Sequence, residues 1–173
     1  MPKRIAILAT DGFEQSELME PRRLLKEAGF RVDVVSPKDG EIRGWNKKEW
    51  GDTVPVDVAL AQASPDDYDA LVLPGGQMNP DNLRMKPEAV DFVRAFAGSD
   101  KPLAAICHAP WLLVEAGAVE GKQITSWPSL KTDLGNAGAQ WQDAPVVTDG
   151  NLITSRKPDD IPQFTEAVVK ALQ

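Results

Sequence analysis

Three runs of the chain are apolar at every position, Ile5 to Ala9, Ala70 to Leu73 and Leu103 to Ile106, and a fourth, Val32 to Val35, is broken only by Asp33. A strand with one wet face alternates apolar and polar residues, so unbroken runs predict strands covered on both faces, as in a parallel sheet. Between them lie segments of helical period, Glu14 to Ala28 closed by Gly29, Glu88 to Ala97 closed by Gly98, and Ala109 to Ala116 closed by Gly117. Beyond Pro158, Asp159-Asp160 opens a last amphipathic helix with Ile161, Phe164, Val168 and Leu172 on one stripe. Strand and helix alternate, which predicts an α/β sandwich. Ligands of such sheets bind where strands end at their carboxyl edge, so the residues after Ala9, Leu73 and Ile106 are the places to search.

The chain has 173 residues, 42% hydrophobic and 26% charged, with no repeat or linker to divide it, so residues 1–173 read as one domain with a sizeable core. One cysteine allows no internal disulfide, and one cysteine with one histidine forms neither a zinc site nor a His-rich iron site. Acidic residues outnumber basic ones, 26 to 19, for a net charge of −7. Without a basic block, nucleic acid is not an expected partner. The run at the N-terminus is too short for a signal peptide, no apolar run reaches about 18 residues, and a free thiol suits a reducing compartment. The expected location is the cytoplasm, away from the membrane.

Cys107 follows a predicted strand and opens a predicted helix, with Pro110 suited to the first helical turn. A nucleophile elbow needs small residues two before and two after the nucleophile, because the strained turn brings them together, and Ala105 and Ala109 fill both places. A thiol at a helix N-terminus also feels free backbone N–H groups, which favour thiolate and predict a lowered pKa. His108 is the only imidazole available to move a proton. Taken alone, Cys107 also reads as a small buried hydrophobe, and His108 as a helix cap or a subunit contact.

The turn Pro74-Gly75-Gly76 brings backbone N–H groups close to a ligand, and with the N–H of His108 it offers an oxyanion hole. An ordinary left-handed turn explains the same glycines. Glu14, after Asp11-Gly12-Phe13, stands at the same sheet edge as Cys107. If it faces the thiol, repulsion between the two acids keeps a proton on one of them, most naturally on Glu14 with its pKa raised. Alternatively Glu14 is a solvated residue of a first helical turn.

Asp11-Gly12-Phe13-Glu14, Pro74-Gly75-Gly76 and Ala105-Ile106-Cys107-His108-Ala109-Pro110 together resemble the PfpI family. This family holds intracellular peptidase-like proteins and parkinsonism-associated deglycase relatives, and belongs to the class I glutamine amidotransferase-like superfamily. The likeness runs nearly end to end, through Lys122 to Ser126, Asn136 to Ala139 and Ser155 to Asp160. It implies a flavodoxin-like three-layer sandwich with a mostly parallel sheet. It also implies Cys107 as nucleophile, His108 as acid/base, Glu14 as protonated partner, and the amides of Gly75, Gly76 and His108 as oxyanion donors. The resemblance further suggests a homo-oligomer, dimer or hexamer, whose neighbouring subunit lends a third triad carboxylate near Asp81, in a loop Gln77 to Asp81 that is one residue longer than in the peptidase-like members. Ala109 stands where relatives usually have glycine and is expected to narrow the pocket floor. Trp127 matches a common aromatic beside the thiol and reads as a pocket wall, or equally as core. Trp45 and Trp50 lie in a hairpin-like segment, Gly44 to Gly51, suited to a subunit contact.

No histidine follows His108, which excludes the glutaminase layout of a downstream His and Glu. One thiol, one proton carrier and no cofactor suit a stress-related enzyme of glyoxalase or deglycase type, acting on methylglyoxal-like α-oxoaldehydes or on their protein and peptide adducts. An intracellular cysteine peptidase is the alternative, disfavoured because amides are harder substrates and the imidazole lacks a secure third member. A non-enzymatic protein that senses peroxide through Cys107 is another.

Overall fold

The computed structural model describes all of residues 1–173. The strands are β1 (Arg4–Leu8), β2 (Phe13–Glu14), β3 (Arg31–Ser36), β4 (Glu41–Asn46), β5 (Glu49–Pro55), β6 (Val58–Ala59), β7 (Ala70–Leu73), β8 (Leu103–Ile106), β9 (Gln123–Ile124), β10 (Gln140–Trp141), β11 (Val146–Asp149) and β12 (Leu152–Ser155). The helices are α1 (Gln15–Glu27), α2 (Met78–Leu83), α3 (Pro87–Ala97), α4 (Pro110–Glu115), α5 (Lys131–Asn136) and α6 (Ile161–Ala171). A central seven-stranded sheet runs β11-β12-β8-β7-β1-β3-β6, parallel except for the edge pair β11 and β12. All four predicted apolar runs lie inside it.

Each central strand feeds two cores. Ala6, Leu8, Leu71, Leu73, Leu103 and Ala105 face one side, packed with Val93 and Phe96 of α3 and Leu112 and Leu113 of α4. Ile5, Ile7, Val32, Val34, Val72, Ala104 and Ile106 face the other, packed with Leu18 and Leu25 of α1 and with Phe164 and Val168 of α6. Two apolar layers on one sheet explain why the strands read as unbroken runs. The architecture is the expected flavodoxin-like α/β sandwich.

The chain leaves β1 for β3 on one side and returns to β7 on the other, so the switch point of the sheet lies between β1 and β7. A separate three-stranded sheet, β2-β4-β5, stands over that edge: Phe13 and Glu14 pair in parallel with Gly44 and Trp45, and β4 and β5 form a hairpin. The predicted first helix therefore begins one residue later, because Glu14 is its extended N-cap and belongs to β2. The segment read as the loop Gln77 to Asp81 is instead the start of α2, for which Gln77 is the N-cap.

Candidate active site

Cys107 has φ +66. A left-handed residue that carries a β-carbon costs roughly 1–2 kcal/mol, and here the turn is fixed from both sides. The Cys107 N–H donates to the Ser155 carbonyl at 3.0 Å, and the Cys107 carbonyl accepts from the Trp127 N–H at 3.0 Å. The strained strand-to-helix elbow expected from Ala105 and Ala109 is thus present. Ala109 is buried among the residues under α4 and does not line the cleft, so the expected narrowing of the pocket floor at this position is not found.

Above the elbow lies a cleft of about 540 Å³ that contains Cys107, His108, Glu14, Glu17, Gly76 and Trp127, with Trp45 and Lys47 from the hairpin. His108 Nδ1 is 3.2 Å from Cys107 Sγ. The imidazole stacks on Trp127, with ring centres 6.0 Å apart, and meets the edge of Trp111 at 5.1 Å. Burial pulls the His108 pKa down to about 4, so the ring is neutral at pH 7. In the tautomer with its proton on Nε2, Nδ1 accepts from the thiol; Nε2 itself is buried without a hydrogen-bond partner.

The acid that meets the thiol is Glu17, one helical turn beyond Glu14. It is wholly buried, and its Oε1 accepts the Gly75 N–H at 2.9 Å. The other oxygen, Oε2, is buried without a hydrogen-bond partner, and the carboxyl as a whole lies close enough to the Cys107 thiol to interact with it. Burial, and then the charge of Glu14, push the Glu17 carboxyl up to about 8, against the opposing pull of the Gly75 N–H and the thiol. The carboxyl carries its proton at neutral pH. Glu14 lines the same cleft, half-buried, and is also raised by burial while Lys47 pulls it down. The position opposite the thiol expected for Glu14 therefore belongs to Glu17. On α1, Glu17 falls on the stripe of Leu18, Pro21 and Leu25, all buried. A carboxylate on an apolar stripe was the legible signal.

The turn at Gly75-Gly76 is built for close approach. A β-carbon on Gly75 would lie 2.6 Å from Glu17 Oε1 and 2.7 Å from both Cys107 Cβ and the Ile106 carbonyl oxygen. Gly76, at φ +85, leaves no more room, with the Gly12 carbonyl 2.6 Å from the same construction. The Gly75 N–H is engaged by Glu17 and is not free to serve as an oxyanion donor, contrary to expectation. The amides of Gly76 and His108 do point at the Cys107 sulfur and pull its pKa down. Burial and the charge of Glu17 push the thiol up, against the expected depression. The dipole of α4 adds little, since that helix spans only six residues.

Asn79, buried in the first turn of α2, was not foreseen. Its Oδ1 accepts the Thr10 N–H at 2.8 Å, and its Nδ2 donates to the carbonyls of Pro74 at 2.9 Å and Gly75 at 3.3 Å. It locks the end of β1 to the glycine turn. Asp81 lies outside the cleft, exposed, with Arg84 at 2.6 Å. Trp127 stands in the cleft wall, 39% exposed, as one of its two readings proposed.

Residues 3–171 match the DJ-1/PfpI family. A deglycase of Pyrococcus abyssi is 44% identical over 170 residues, which cover 98% of this chain and 99% of that protein. A Bacillus subtilis protein named provisionally as a cysteine protease is 39% identical, with 100% of both chains covered. The crystal structure of Drosophila melanogaster DJ-1beta superposes with a TM-score of 0.91 at 31% identity, covering 99% of this chain and 91% of that one.

Proposed function

Because this chain belongs to the DJ-1/PfpI family, we propose that it is a cysteine-dependent enzyme acting on α-oxoaldehydes such as methylglyoxal, or on their early adducts with protein amines and thiols. The observation that carries the reading is the grouping on one cleft floor of a strained cysteine, a neutral imidazole 3.2 Å from its sulfur, and a buried carboxyl that keeps its proton at pH 7. Names of relatives add support, several being deglycases.

Cys107 gives its proton to Nδ1 of His108 as the sulfur attacks the aldehyde carbon, forming a hemithioacetal. The new alkoxide is held by the amides of Gly76 and His108, and the Glu17 carboxyl stands ready to donate to it. Transfer of the hydrogen from the former aldehyde carbon to the neighbouring carbonyl carbon oxidises the first and reduces the second, which leaves a thioester of a 2-hydroxyacid. Water then cleaves the thioester, returning the thiol and releasing the hydroxyacid. The sequence consumes one water and needs no external redox partner.

The cysteine-protease name of the Bacillus relative favours a peptidase as the second reading. Amide cleavage asks more of His108 than the aldehyde reaction does, because the proton taken from the thiol must then be delivered to a leaving amine by a correctly oriented ring. It also needs a carboxylate on Nε2. Within the chain Asp81 is committed to Arg84, so that carboxylate would have to come from a second copy in a homo-oligomer. A glutathione-free assay decides between the two readings. Wild-type protein is expected to convert methylglyoxal to lactate, and Cys107→Ser to lose at least a hundredfold in rate; equal lactate formation by both proteins would sink the aldehyde reading.

A further inference from the structure

We propose that Lys47 selects substrates bearing an anionic group, so that the favoured α-oxoaldehyde or adduct carries a carboxylate or a phosphate near the reacting carbonyl. The proposal rests on the aldehyde reading of the cleft and names its substrate class. Lys47 is the only cationic side chain among the residues that line the cleft. Its ammonium has no carboxylate within ion-pair distance, in contrast to Arg4, Arg23, Lys38, Arg84, Arg94 and Arg156. Glu14, which lines the same cleft, feels the lysine's charge without forming an ion pair with it. Lys47 thus puts a cation at the exposed mouth, above a floor whose own Glu17 is protonated, with Glu14 the one other acid of the lining.

The backbone holds that cation in place. Lys47 sits at φ +60, a conformation that glycine or asparagine adopts more readily than lysine. Trp45 Nε1 donates to the Lys47 carbonyl at 2.8 Å, and the Lys48 N–H donates to the Asn46 carbonyl at 2.7 Å. The tip of the hairpin is thus pinned by the tryptophan that lines the cleft beside it. The aromatic walls, Trp45 and Trp127, take the carbon skeleton of a substrate, and Lys47 takes its charged end.

Two measurements test this, one of them independent of turnover. Levulinate and methyl propyl ketone are unreactive ketones of the same shape that differ in one carboxylate. Levulinate is expected to slow iodoacetamide alkylation of Cys107 in the wild-type protein at concentrations where the neutral ketone does not. Lys47→Met and Lys47→Gly, the latter relieving the positive φ, should remove that difference, while Lys47→Arg keeps it. In turnover, the kcat/KM ratio of dioxopentanoate, the carboxylate-bearing α-oxoaldehyde, to methylglyoxal should fall about fivefold in Lys47→Met, the size of one exposed charge contact. A phosphate-bearing oxoaldehyde run alongside shows which anion is preferred. Equal protection by the two ketones, or protection that survives Lys47→Met, would overturn the proposal. Loss of all aldehyde turnover with charge-dependent protection intact would instead fault the aldehyde reading alone.

Discussion

Glu17 and Cys107 are two acids in one dry site, and the proton they hold sets how the protein responds to pH. In the unfolded chain the Glu17 carboxyl ionises near 4.5; in the folded chain it does so at about 8. Between these values the native state keeps a proton that the unfolded state has released. The stability this group contributes is full below pH 4.5 and is lost as the pH rises through 8, an effect on the order of a few kcal/mol. Glu17→Gln keeps a neutral acceptor for the Gly75 N–H and should flatten that slope, as urea unfolding at pH 5 and pH 8 will show. The same variant removes the charge that raises the thiol, so the pH midpoint of iodoacetamide alkylation at Cys107 should move down. An unmoved midpoint would mean that burial alone governs the sulfur. His108 runs the other way: its pKa falls from 6.5 to about 4, so the folded chain gains stability as the pH rises across that window. The chain has one histidine, so a single imidazole signal reports it by NMR. That signal should stay at its neutral position from pH 8 down to about 5, and an inflection near 6.5 would indicate a solvated ring. Cys107 and His108 were legible because the elbow is a local pattern of small residues. Glu17 was not picked out, because the strand-to-helix junction drew notice to Glu14 and the depth of the next turn depends on how α1 leans on the sheet.

Three junctions converge at the site: β1 to β2, β7 to α2 and β8 to α4. The Glu14 N–H donates to the Gly75 carbonyl at 3.1 Å, joining the first two, and Asn79 ties the end of β1 to the same turn. Gly75→Ala must therefore displace either the buried carboxyl or the elbow backbone. It should destabilise the protein by about 1–3 kcal/mol and abolish turnover together, measured as a lowered urea midpoint and a lost lactate signal. Asn79→Ala leaves the Thr10 N–H buried without an acceptor and should cost about 1–3 kcal/mol. A midpoint within error of wild type would show that water replaces the amide there. The long elements were readable because burial on two faces leaves unbroken apolar runs, and α1, α3 and α6 carry clear stripes. The two-residue strands β2, β6, β9 and β10 were not, since tertiary contact decides such short pairings and no period can register in two positions. α2 escaped for a related reason: six residues, with Pro80 among them, offer too little pattern to separate a helical turn from a loop.

At the scale of the whole molecule, no helix is long and apolar enough to cross a membrane. The floor and the wall of the cleft, moreover, have different owners. Cys107, His108 and Gly76 hang from strands of the seven-stranded sheet, whereas Trp45 and Lys47 belong to the β4-β5 hairpin, which pairs with β2 and sinks Ile42 and Val54 into the same core as Leu18 and Leu25 of α1. The residues that would break bonds and those that would choose the molecule thus stand on different elements, with only the hairpin's tip free of the core. An engineer who rebuilds the tip at residues 45–50 and keeps Ile42 and Val54 in the core has a route to retarget the protein while the thiol, its elbow and its proton donor stay where they are.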